Sequence, residues 1–531
     1  PRGGCDRPRA LRIGCRPRPA TREARSARTA DTQRLPAFCA SLVVVERQPK
    51  RSRATATAVD RSRAQRYPRR ALPQELVRAL RSAVGSANVL TDPQLLAPYE
   101  RDWTGRFHGR AGAVVLPASA AEVAAAVALA SEQGVPIVPQ GGNTGLVGGA
   151  VPPGGGIVVS LRRLRYRGEI DPLARTVRVG AGLTLAELDD LARPHGLAAG
   201  LDLAARDAAT VGGIVACDAG GHSALRYGTA RARVRGLEVV LADGSIVRLA
   251  RRAPKDNAGY NLVPLLVGSE GTLAVITDVE WELVPRPARR VTVLLAVDSM
   301  QRAVDFALAL RASVPAVEAI EFMCSACFSL LAEQLSLAAP DPLRPVVDSG
   351  GLALLCEVAG NSDDVERFAA FITRHAAGER ATLASDEAQR KRLWRLRDAI
   401  PEAVSRAGVA HKIDVALPPS RLAEFDRRLR ELVPGHLAPV ARLVRFGHLG
   451  DGNVHVNVLG LPPDAEGVDA AVLELAAACG GTISGEHGIG TAKARYLHLV
   501  RSEREIELMR AIKRAFDPRG VLNPGVLLPA P

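Results

Sequence analysis

Apolar positions in the part of the chain that follows the N-terminal tail recur with helical and strand periods in turn. Their spacing predicts an amphipathic helix over Leu76–Val84 and the start of another at Asp92–Leu96. Farther on, it predicts a strand at Ala113–Pro117, a helix at Ser119–Gln133 and a strand at Val135–Pro139. A strand, a helix and a strand within about 25 residues predict parallel pairing of the two strands through a right-handed crossover.

The charge of the chain is unevenly distributed. The 531 residues suffice for two or three domains of roughly 150 residues each. Of the 70 Lys and Arg residues, 19 lie in residues 1–70 beside 5 acidic residues, so the rest of the chain is neutral. A domain that binds nucleic acid carries its excess positive charge on a folded face. We therefore expect no nucleic-acid partner.

Residues 1–71 have the Arg-, Pro- and Ser-rich composition of a disordered basic tail. Three interpretations are open: a reading-frame extension that the natural protein lacks, an Arg-rich transit-like segment, or an electrostatic tail. We favour the first, because Arg outnumbers Lys heavily throughout, as GC-rich coding produces in a non-protein frame.

The sequence contains no run of about 18 apolar residues, so it predicts no membrane-spanning helix. We expect a cytoplasmic protein, peripheral at the inner membrane as an alternative, and mitochondrial if eukaryotic.

The cysteines do not indicate a metal site or disulfide framework. The chain has eight, and only Cys324 and Cys327 are spaced as CxxC, without a second pair at zinc-finger spacing. We expect both to pack as small hydrophobic groups.

A glycine-rich loop follows the predicted strand at Val135–Pro139. Residues Gln140–Gly149 read QGGNTGLVGG, in which consecutive backbone N–H groups can converge on an anion such as a pyrophosphate. A Rossmann turn opens a helix, whereas Ile157–Leu161 is strand-like. The pattern therefore disfavours a nicotinamide dinucleotide at a helix N-terminus.

Small residues recur in two later segments, residues 201–228 and 268–276. A flexible surface loop is the alternative for any one glycine-rich segment. Three such segments within about 130 residues, separated by apolar runs such as Leu237–Leu241, are hard to explain as unrelated turns. Together they predict one extended cofactor groove.

Histidine and carboxylate side chains cluster toward the C-terminal end. His448 and His455 lie seven residues apart, and Glu486 and His487 follow. The residues around His455 alternate as in a strand, so His455 and Asn457 share one face. Two imidazoles and a carboxylate make an open site for a divalent ion. For any single histidine, a hydrogen-bonded structural role is the alternative.

These segments resemble the FAD-linked D-2-hydroxyacid dehydrogenases, which include D-lactate dehydrogenases, the glycolate oxidase flavin subunit and D-2-hydroxyglutarate dehydrogenase. The resemblance covers about residues 72–529 and is carried, in family order, by PQGGNTGLVGG, TVGGIVACDAGG, LRYG, LEVVLADG, GYNLVPLLVGSEGTLAVIT, FGHLGDGNVHVNV, SGEHGIG and DPRGVLNPG. It implies an α+β fold of the vanillyl-alcohol-oxidase (PCMH) type. The expected parts are a two-part FAD-binding domain at 72–289, an α+β substrate or cap domain with the metal site at 290–500, and a segment at 501–531 that returns to the FAD domain.

The resemblance also implies how FAD is held. Covalent relatives attach the flavin through a His in or near the first loop, and residues 141–149 contain none, so we expect non-covalent FAD. Asp218 stands where relatives commonly carry Asn. The family pattern places FAD against Pro139, Gly141, Gly142, Asn143, Thr144, Gly145, Gly149, Leu201, Asp202, Thr210, Gly212, Gly213, Asp218, Gly220, Gly221, Tyr227, Gly228, Glu270, Gly271, Ile276 and Asn523.

The family pattern puts the metal on His448, His455 and Glu486, with Zn favoured and Mn or Fe as alternatives, and makes His487 the base. The expected reaction is oxidation of a D-2-hydroxy acid to the 2-oxo acid, with hydride passing from C2 to flavin N5. A metal on the hydroxyl stabilises the developing alkoxide, while an imidazole of pKa near 7 accepts the proton.

Substrate contacts are implied for Asn457 and for two cations, Arg397 and Lys412, as the carboxylate-binding pair. The alternative is that each cation pairs with its neighbour, Asp398 or Asp414. The expected partners are a small 2-hydroxy acid, an electron acceptor that is a quinone, a cytochrome or an electron-transfer flavoprotein, and a second copy in a homodimer. The alternative function is a related FAD-dependent alcohol oxidoreductase, similar to alkyl-dihydroxyacetone-phosphate synthase or sugar-lactone oxidase.

Overall fold

The computed structural model describes residues 71–529, apart from 251–252, 254, 377–379, 385, 434–440 and the side chain of Glu466. The predicted disordered tail therefore lies outside the described residues, except for Ala71.

Helices occur along the whole described chain. The α-helices are α1 (Gln74–Val84), α2 (Pro93–Leu96), α3 (Ala120–Glu132), α4 (Leu185–Ala192), α5 (Val211–Cys217), α6 (Ala224–Tyr227), α7 (Ala230–Arg233), α8 (Val263–Leu266), α9 (Met300–Ser313), α10 (Ser325–Leu335), α11 (Arg344–Asp348), α12 (Ser362–His375), α13 (Glu387–Asp398), α14 (Ile400–Ala407), α15 (Leu422–Leu432), α16 (Glu466–Ala478) and α17 (Glu503–Phe516). Short 3-10 helices lie at Ser86–Asn88, Ala97–Tyr99, Leu161–Arg163, Arg193–His195, Pro419–Arg421 and Ala494–Leu499.

Strands alternate with these helices. They are β1 (Val89–Leu90), β2 (Ala111–Val115), β3 (Ile137–Gln140), β4 (Gly156–Ser160), β5 (Arg167–Asp171), β6 (Thr176–Gly180), β7 (Leu197–Ala198), β8 (Val234–Val240), β9 (Ile246–Ala250), β10 (Val275–Glu282), β11 (Val284–Pro285), β12 (Arg289–Val297), β13 (Val317–Cys324), β14 (Leu352–Gly360), β15 (Arg380–Leu383), β16 (His411–Ala416), β17 (Arg442–His448) and β18 (Asn453–Leu459).

The first sheet has the order β1-β2-β4-β3. The predicted helix after β2 is confirmed as α3, because Ser119 caps its first turn by accepting a hydrogen bond from the Glu122 N–H. The predicted direct pairing of β2 with β3 is wrong: both run parallel to β4, which lies between them. All five residues of β4 are buried, as a central strand with both faces covered requires. The glycine-rich loop accordingly lies between two strands, β3 and β4, as predicted.

The second sheet is antiparallel, with the order β5-β6-β10-β8-β9. Its core includes Trp281 of β10, which is fully buried and donates from Nε1 to the Ala199 carbonyl at 2.8 Å. The hydrophobic core beside it extends over the helices α4 and α5. Of these two helices, α5 lies within the second glycine-rich segment.

The third sheet is antiparallel and has seven strands, in the order β15-β12-β14-β13-β17-β18-β16. Its register sets Glu321 of β13 opposite His448 of β17, and Asp414 of β16 opposite His455 of β18. Hydrogen-bonded strands thus bring into one place side chains that are far apart in the sequence.

The last segment of the chain returns to the first sheet. After α17, Leu522 forms a parallel bridge with Ile137 of β3, and the Asn523 N–H donates to the Ile137 carbonyl at 2.8 Å. The predicted domain boundaries themselves stay a prediction. In the described part of the chain, no helix has the length and apolarity needed to cross a membrane. Cys324 and Cys327 are both buried, at the junction of β13 and α10.

Candidate active site

Two histidines and a glutamate converge at the edge where β17 ends and β18 begins. Glu486 Oε1 lies 3.3 Å from His448 Nε2 and 3.5 Å from His455 Nε2. The two imidazole rings meet edge to face, with their centroids 5.3 Å apart. The structure therefore brings together the three side chains that the family pattern assigns to a metal.

Each histidine has a buried carboxylate behind it. His448 Nδ1 lies 2.7 Å from Glu321 Oε1, and His455 Nδ1 lies 3.3 Å from Asp414 Oδ1. Histidines that ligate metals commonly donate their other ring N–H to such a carboxylate, which fixes the tautomer and the ring orientation. This arrangement leaves both Nε2 atoms facing Glu486.

The turn that carries Glu486 is held by Asp414. Its Oδ2 accepts backbone hydrogen bonds from Gly485 at 2.8 Å, Glu486 at 2.8 Å and His487 at 3.0 Å. Burial alone would raise the pKa of Asp414, but His487, His455 and the other facing donors outweigh it and hold the pKa well below its usual range. One ionised carboxylate thereby fixes a turn some 70 residues farther along the chain.

His487 stacks on His455, with ring centroids 4.9 Å apart and planes inclined by 6°. Its Nε2 lies 4.0 Å from Glu486 Oε1, while its Nδ1 is buried and has no hydrogen-bond partner among the described residues. Burial lowers the pKa of His487 to about 4, although the charge of Asp414 opposes this shift, so the expected value near 7 is wrong. The side chain is thus a neutral imidazole at neutral pH and has an unused ring nitrogen.

The cluster fits a divalent cation. Donor atoms of His448, His455 and Glu486 all lie within 4.8 Å of one another. For tetrahedral zinc at about 2.0–2.1 Å from each ligand, neighbouring donors are separated by roughly 3.4 Å, which the two distances to Glu486 match. Burial alone would lower the pKa of His448, but Glu321 and Glu486 raise it well above its usual value. The surrounding carboxylates therefore favour positive charge at this position.

The first glycine-rich loop packs against α5 and the residues before it. A Cβ at Gly141 would overlap Thr210 Oγ1, and one at Gly142 would overlap the Ala208 carbonyl. A Cβ at Gly145 would meet nothing within 4 Å. The loop thus approaches its neighbours too closely for larger residues at two positions and leaves open space at the third, which suits an elongated cofactor.

The groove and the histidine cluster are in direct contact. The Gly221 N–H donates to Glu486 Oε2 at 2.6 Å. Gly221 has φ 79°, and a Cβ there would overlap the Asp202 carbonyl, so glycine is needed at this position. A Cβ at Gly220 would lie 3.4 Å from the same Glu486 oxygen. The second glycine-rich segment therefore reaches the carboxylate of the predicted metal site.

Glu270 joins the third glycine-rich segment to the same region. Its buried carboxylate accepts hydrogen bonds at 2.8 Å from the backbone of both Ile489 and Gly490. Asn523 Nδ2 donates to the Glu270 carbonyl at 2.7 Å and to the Gly149 carbonyl at 2.8 Å. Four distant segments of the chain meet at these two side chains.

The other residues that the family pattern assigns to FAD lie in β3, α5, α6, β10 and the loops next to these elements. Gly271 packs against Pro139, because a Cβ added at Gly271 would lie only 3.1 Å from Pro139 Cγ. The Asp218 carboxylate, at the end of α5, is bound by Arg231 Nε at 2.8 Å. The Asn143 side chain donates to the Arg101 carbonyl at 2.9 Å. The remaining positions lie in the first loop, in or before α5, in or after α6, and in β10: Thr144, Leu201, Gly212, Gly213, Tyr227, Gly228 and Ile276.

Arg397 lies behind the cluster and not beside Asp398. Its Nε donates to Glu321 Oε2 at 2.8 Å, and its guanidinium lies 4.7 Å from the centroid of the Phe446 ring. Asp398 lies instead 3.3 Å from His222 Nε2. The alternative of an ion pair between sequence neighbours is therefore not what the structure shows.

Lys412 is opposite Asn457 in the register of β16 and β18. Its ammonium donates to Ser405 Oγ at 3.0 Å and lies 4.2 Å from the centroid of the Trp103 ring. Asp414, its predicted alternative partner, binds the turn instead. Asn457 Nδ2 is buried, and no hydrogen-bond partner for it lies in the part of the chain that the structure describes. A buried donor of this kind favours a bound ligand or water.

Sequence reasoning missed two side chains of the site. Glu321 lies in the buried strand VEAIEFMC, where an acid among apolar residues signals a buried partner. His222 follows Gly221, and its ring lies 5.7 Å from His448 and 4.7 Å from Trp394 between centroids. Beside His222 opens a cavity of about 450 Å³ whose lining includes the predicted flavin residues Leu201, Asp202 and Tyr227.

Two family models match the chain. One describes an FAD binding domain and matches residues 111–250, and the other describes the C-terminal domain of FAD linked oxidases and matches residues 286–527.

Similar proteins share most of their length with this chain. D-2-hydroxyglutarate dehydrogenase, mitochondrial, of Bos taurus is 35% identical over 88% of this chain and 86% of its own. D-2-hydroxyglutarate dehydrogenase of Xanthomonas citri pv. viticola is 36% identical over 85% of this chain and 96% of its own. D-2-hydroxyglutarate–pyruvate transhydrogenase of Saccharomyces cerevisiae is 31% identical over 85% of this chain and 94% of its own.

Solved structures match the fold. p-Cresol methylhydroxylase with substrate bound has a TM-score of 0.69 and 18% identity, covering 86% of this chain and 97% of that one. Alkyldihydroxyacetonephosphate synthase has a TM-score of 0.69 and 17% identity, covering 86% and 85%. At these identities the likeness concerns the fold alone, and the predicted α+β flavoprotein fold of the PCMH type is confirmed.

Proposed function

Because the chain belongs to the FAD-linked D-2-hydroxyacid dehydrogenases, we propose that it oxidises a D-2-hydroxy acid of the D-2-hydroxyglutarate class to the 2-oxo acid, using FAD and a divalent metal. The relatives that are 31–36% identical carry D-2-hydroxyglutarate in their names, and the match covers 86–96% of their length. FAD supplies the acceptor for the hydride that leaves C2 of the substrate.

We assign the metal to His448, His455 and Glu486, with zinc as the favoured ion and manganese or iron as alternatives. A divalent ion at this position supplies a Lewis acid for the hydroxyl and carboxylate oxygens of the substrate. The protein's contribution is a set of three ligands that Glu321, Asp414 and the backbone of the second glycine segment hold in place.

His487 is the proposed base. Its Nε2 faces the cluster, 4.0 Å from Glu486 Oε1, and accepts the hydroxyl proton of the substrate. The imidazole is neutral before the reaction because it is buried, and the negative charge of Asp414 stabilises it after it takes up the proton. Asp414 thus favours the protonated state without touching the substrate.

Arg397, Lys412 and Asn457 are the proposed substrate contacts. Arg397 is anchored through Nε, which orients the rest of the guanidinium. Asn457 offers a buried amide donor on the same face of β18 as His455. Lys412 and Ser405 supply two further polar groups, and the Lys412 ammonium lies 3.0 Å from Ser405 Oγ. We propose that the two cations, Arg397 and Lys412, bind carboxylate groups of the substrate.

The proposal extends to three properties of the holoenzyme. FAD binds non-covalently, since residues 141–149 contain no histidine. A quinone, a cytochrome or an electron-transfer flavoprotein would serve as the electron acceptor that reoxidises FAD bound to this protein. Two copies form a homodimer.

One observation carries the proposal. The hydrogen bond from the Gly221 N–H to Glu486 Oε2 joins the glycine-lined groove to the histidine cluster at 2.6 Å. A cofactor in the groove and a substrate at the cluster would therefore be neighbours, as hydride transfer requires.

Anaerobic flavin reduction tests the proposal. The purified protein should be yellow, and a panel of D- and L-2-hydroxy acids should bleach its flavin only on the D side, with D-2-hydroxyglutarate among the substrates. His487→Ala should slow the reduction by about 10²–10⁴-fold and leave FAD bound. His195→Ala, at an exposed residue outside the site, serves as control. Bound flavin that no D-hydroxy acid bleaches would overturn the reaction, and His487→Ala within a few-fold of wild type would overturn the base.

A further inference from the structure

Glu321 is a buried carboxylate that no sequence motif singled out. It lies in the middle of the third sheet, 1% exposed, between a proposed metal ligand and a proposed substrate-binding residue. Its two oxygens have separate partners: Oε1 lies 2.7 Å from His448 Nδ1, and Oε2 accepts from Arg397 Nε at 2.8 Å.

We propose that Glu321 is a positioning residue that couples the metal site to the substrate-carboxylate site by fixing His448 and Arg397 with one rigid carboxylate. The inference rests on the function proposed above and adds to it a residue that touches neither metal nor substrate. It makes the geometry of the two sites interdependent.

The backbone supports this role. β13 and β17 pair so that Glu321 lies directly opposite His448, and paired strands of a central sheet leave little freedom for either residue. Arg397 reaches the same carboxylate from α13, and its guanidinium rests on the ring of Phe446, also on β17. Glu321 is thereby fixed by sheet register, and Arg397 is fixed by Glu321 and an aromatic face.

The chemistry requires a carboxylate at this position. Both neighbours present N–H donors, and an ionised carboxylate offers acceptors on both oxygens. A glutamine has one acceptor oxygen and one NH₂ group, so it can satisfy only one neighbour and must turn a donor toward the other. When Oε1 accepts the Nδ1 proton of His448, the lone pair of Nε2 is directed toward Glu486, which is the tautomer that a metal ligand needs.

A second buried glutamate in the same sheet provides the comparison. Glu357 of β14 is 2% exposed and also binds guanidinium groups, with Arg290 Nη1 at 2.8 Å and Arg390 Nη1 at 3.1 Å. It also accepts from Trp394 Nε1 at 2.7 Å. None of these partners is a proposed metal ligand or substrate residue. Glu357→Gln therefore removes a buried carboxylate charge from the same sheet and leaves the contacts of Glu321 with His448 and Arg397 in place.

The experiment compares Glu321→Gln with Glu357→Gln in the FAD-loaded enzyme. Zinc affinity is measured by competition with a chromophoric chelator, and steady-state kinetics are measured with D-2-hydroxyglutarate. Glu321→Gln should weaken zinc binding by about 10–100-fold and raise KM by about 10-fold or more. Glu357→Gln should bind zinc as the wild type does. Equal zinc affinity and equal KM in the two variants would overturn the inference.

Two further variants separate positioning from general destabilisation. Glu321→Asp keeps the charge but withdraws it by about one bond length, so zinc affinity should lie between those of the wild type and Glu321→Gln. In an Arg397→Gln background, Glu321→Gln should no longer raise KM but should still weaken zinc binding. A KM effect of equal size in both backgrounds would contradict coupling through Arg397.

The outcome also separates the two proposals. A wild-type enzyme that binds no divalent metal, or that oxidises no D-hydroxy acid, refutes the proposed function itself. A wild-type enzyme that does both, with Glu321→Gln behaving like Glu357→Gln, refutes only the role of Glu321.

Discussion

At the scale of single residues, burial and neighbouring charge set the properties of the site. His487 and Lys412 are both bases whose burial lowers their pKa, but the first becomes neutral at neutral pH while the second stays charged there. That difference fits the two proposed roles, because a base must be free of a proton and a carboxylate-binding group must carry one.

As a proposed carboxylate-binding residue, Lys412 should make substrate binding depend on pH. Burial lowers its pKa to about 8, and the charge of Asp102 opposes the shift only in part. The charged form prevails below this pH and is lost above it, so substrate affinity should fall as the pH rises through about 8. We expect KM for D-2-hydroxyglutarate to rise between pH 7 and pH 9.5, with kcat changing less.

The matched variant for this prediction is Lys412→Arg. A guanidinium keeps its charge over the whole range, so KM of this variant should stay level between pH 7 and pH 9.5. Parallel KM profiles for the variant and the wild type would show that another group titrates, and would remove Lys412 from carboxylate binding.

At the scale of secondary-structure elements, the site depends on strand register and on one turn. β16, β17 and β18 bring Asp414, His448 and His455 together, and Asp414 then holds the turn that carries Glu486. The close approach of Gly221 to this turn completes the arrangement from the side of the groove.

Gly221→Ala tests that approach. The residue has φ 79°, and the added Cβ would overlap the Asp202 carbonyl, so the segment must move and the hydrogen bond to Glu486 is lost. We expect a loss of about 1–3 kcal/mol in the free energy of unfolding, with less FAD and less zinc retained after purification. Thermal unfolding, flavin absorbance and metal analysis measure these quantities.

The control is Gly467→Ala in α16, where an added Cβ meets nothing within 4 Å. Alanine favours a helix over glycine by up to about 1 kcal/mol, so this variant should be at least as stable as the wild type. A Gly221→Ala protein with normal FAD and zinc content would contradict the proposed junction between groove and cluster.

Local structure could be predicted from the sequence where the signal is local. Apolar periodicity located α3, and the absence of a helix after Gln140–Gly149 correctly placed that loop between strands. Strand order was not predictable in the same way: β4 lies between β2 and β3, and nothing in the spacing of these segments indicates which of them is central.

The residues of the candidate site also differ in whether a local sequence signal identifies them. His448, His455, Glu486 and His487 lie in short motifs and could be named from the sequence. Glu321 could not, because its partner His448 lies 127 residues away and only the register of β13 with β17 makes them neighbours. Groups that contact a ligand tend to lie in recognisable motifs, whereas the groups that position them are found only from the fold.

At the scale of the whole molecule, three sheets and the C-terminal segment supply parts of one site. The first glycine-rich loop joins two strands of the first sheet, the third glycine-rich segment leads into β10 of the second sheet, and the third sheet carries His448 and His455. Asn523 ties the end of the chain to Gly149 and Glu270. We propose that the groove and the cluster act together, so that a metal held by the cluster would promote electron transfer to FAD.

Single-turnover flavin reduction by D-2-hydroxyglutarate, followed by stopped flow with and without metal, is the decisive experiment. Chelation should remove the metal and leave FAD bound, and the reduction should slow by about 10²-fold or more because the substrate loses its Lewis acid. Adding back zinc or manganese should restore the rate. Flavin reduction at the wild-type rate in metal-free protein would show that no metal at the cluster is needed for electron transfer to FAD.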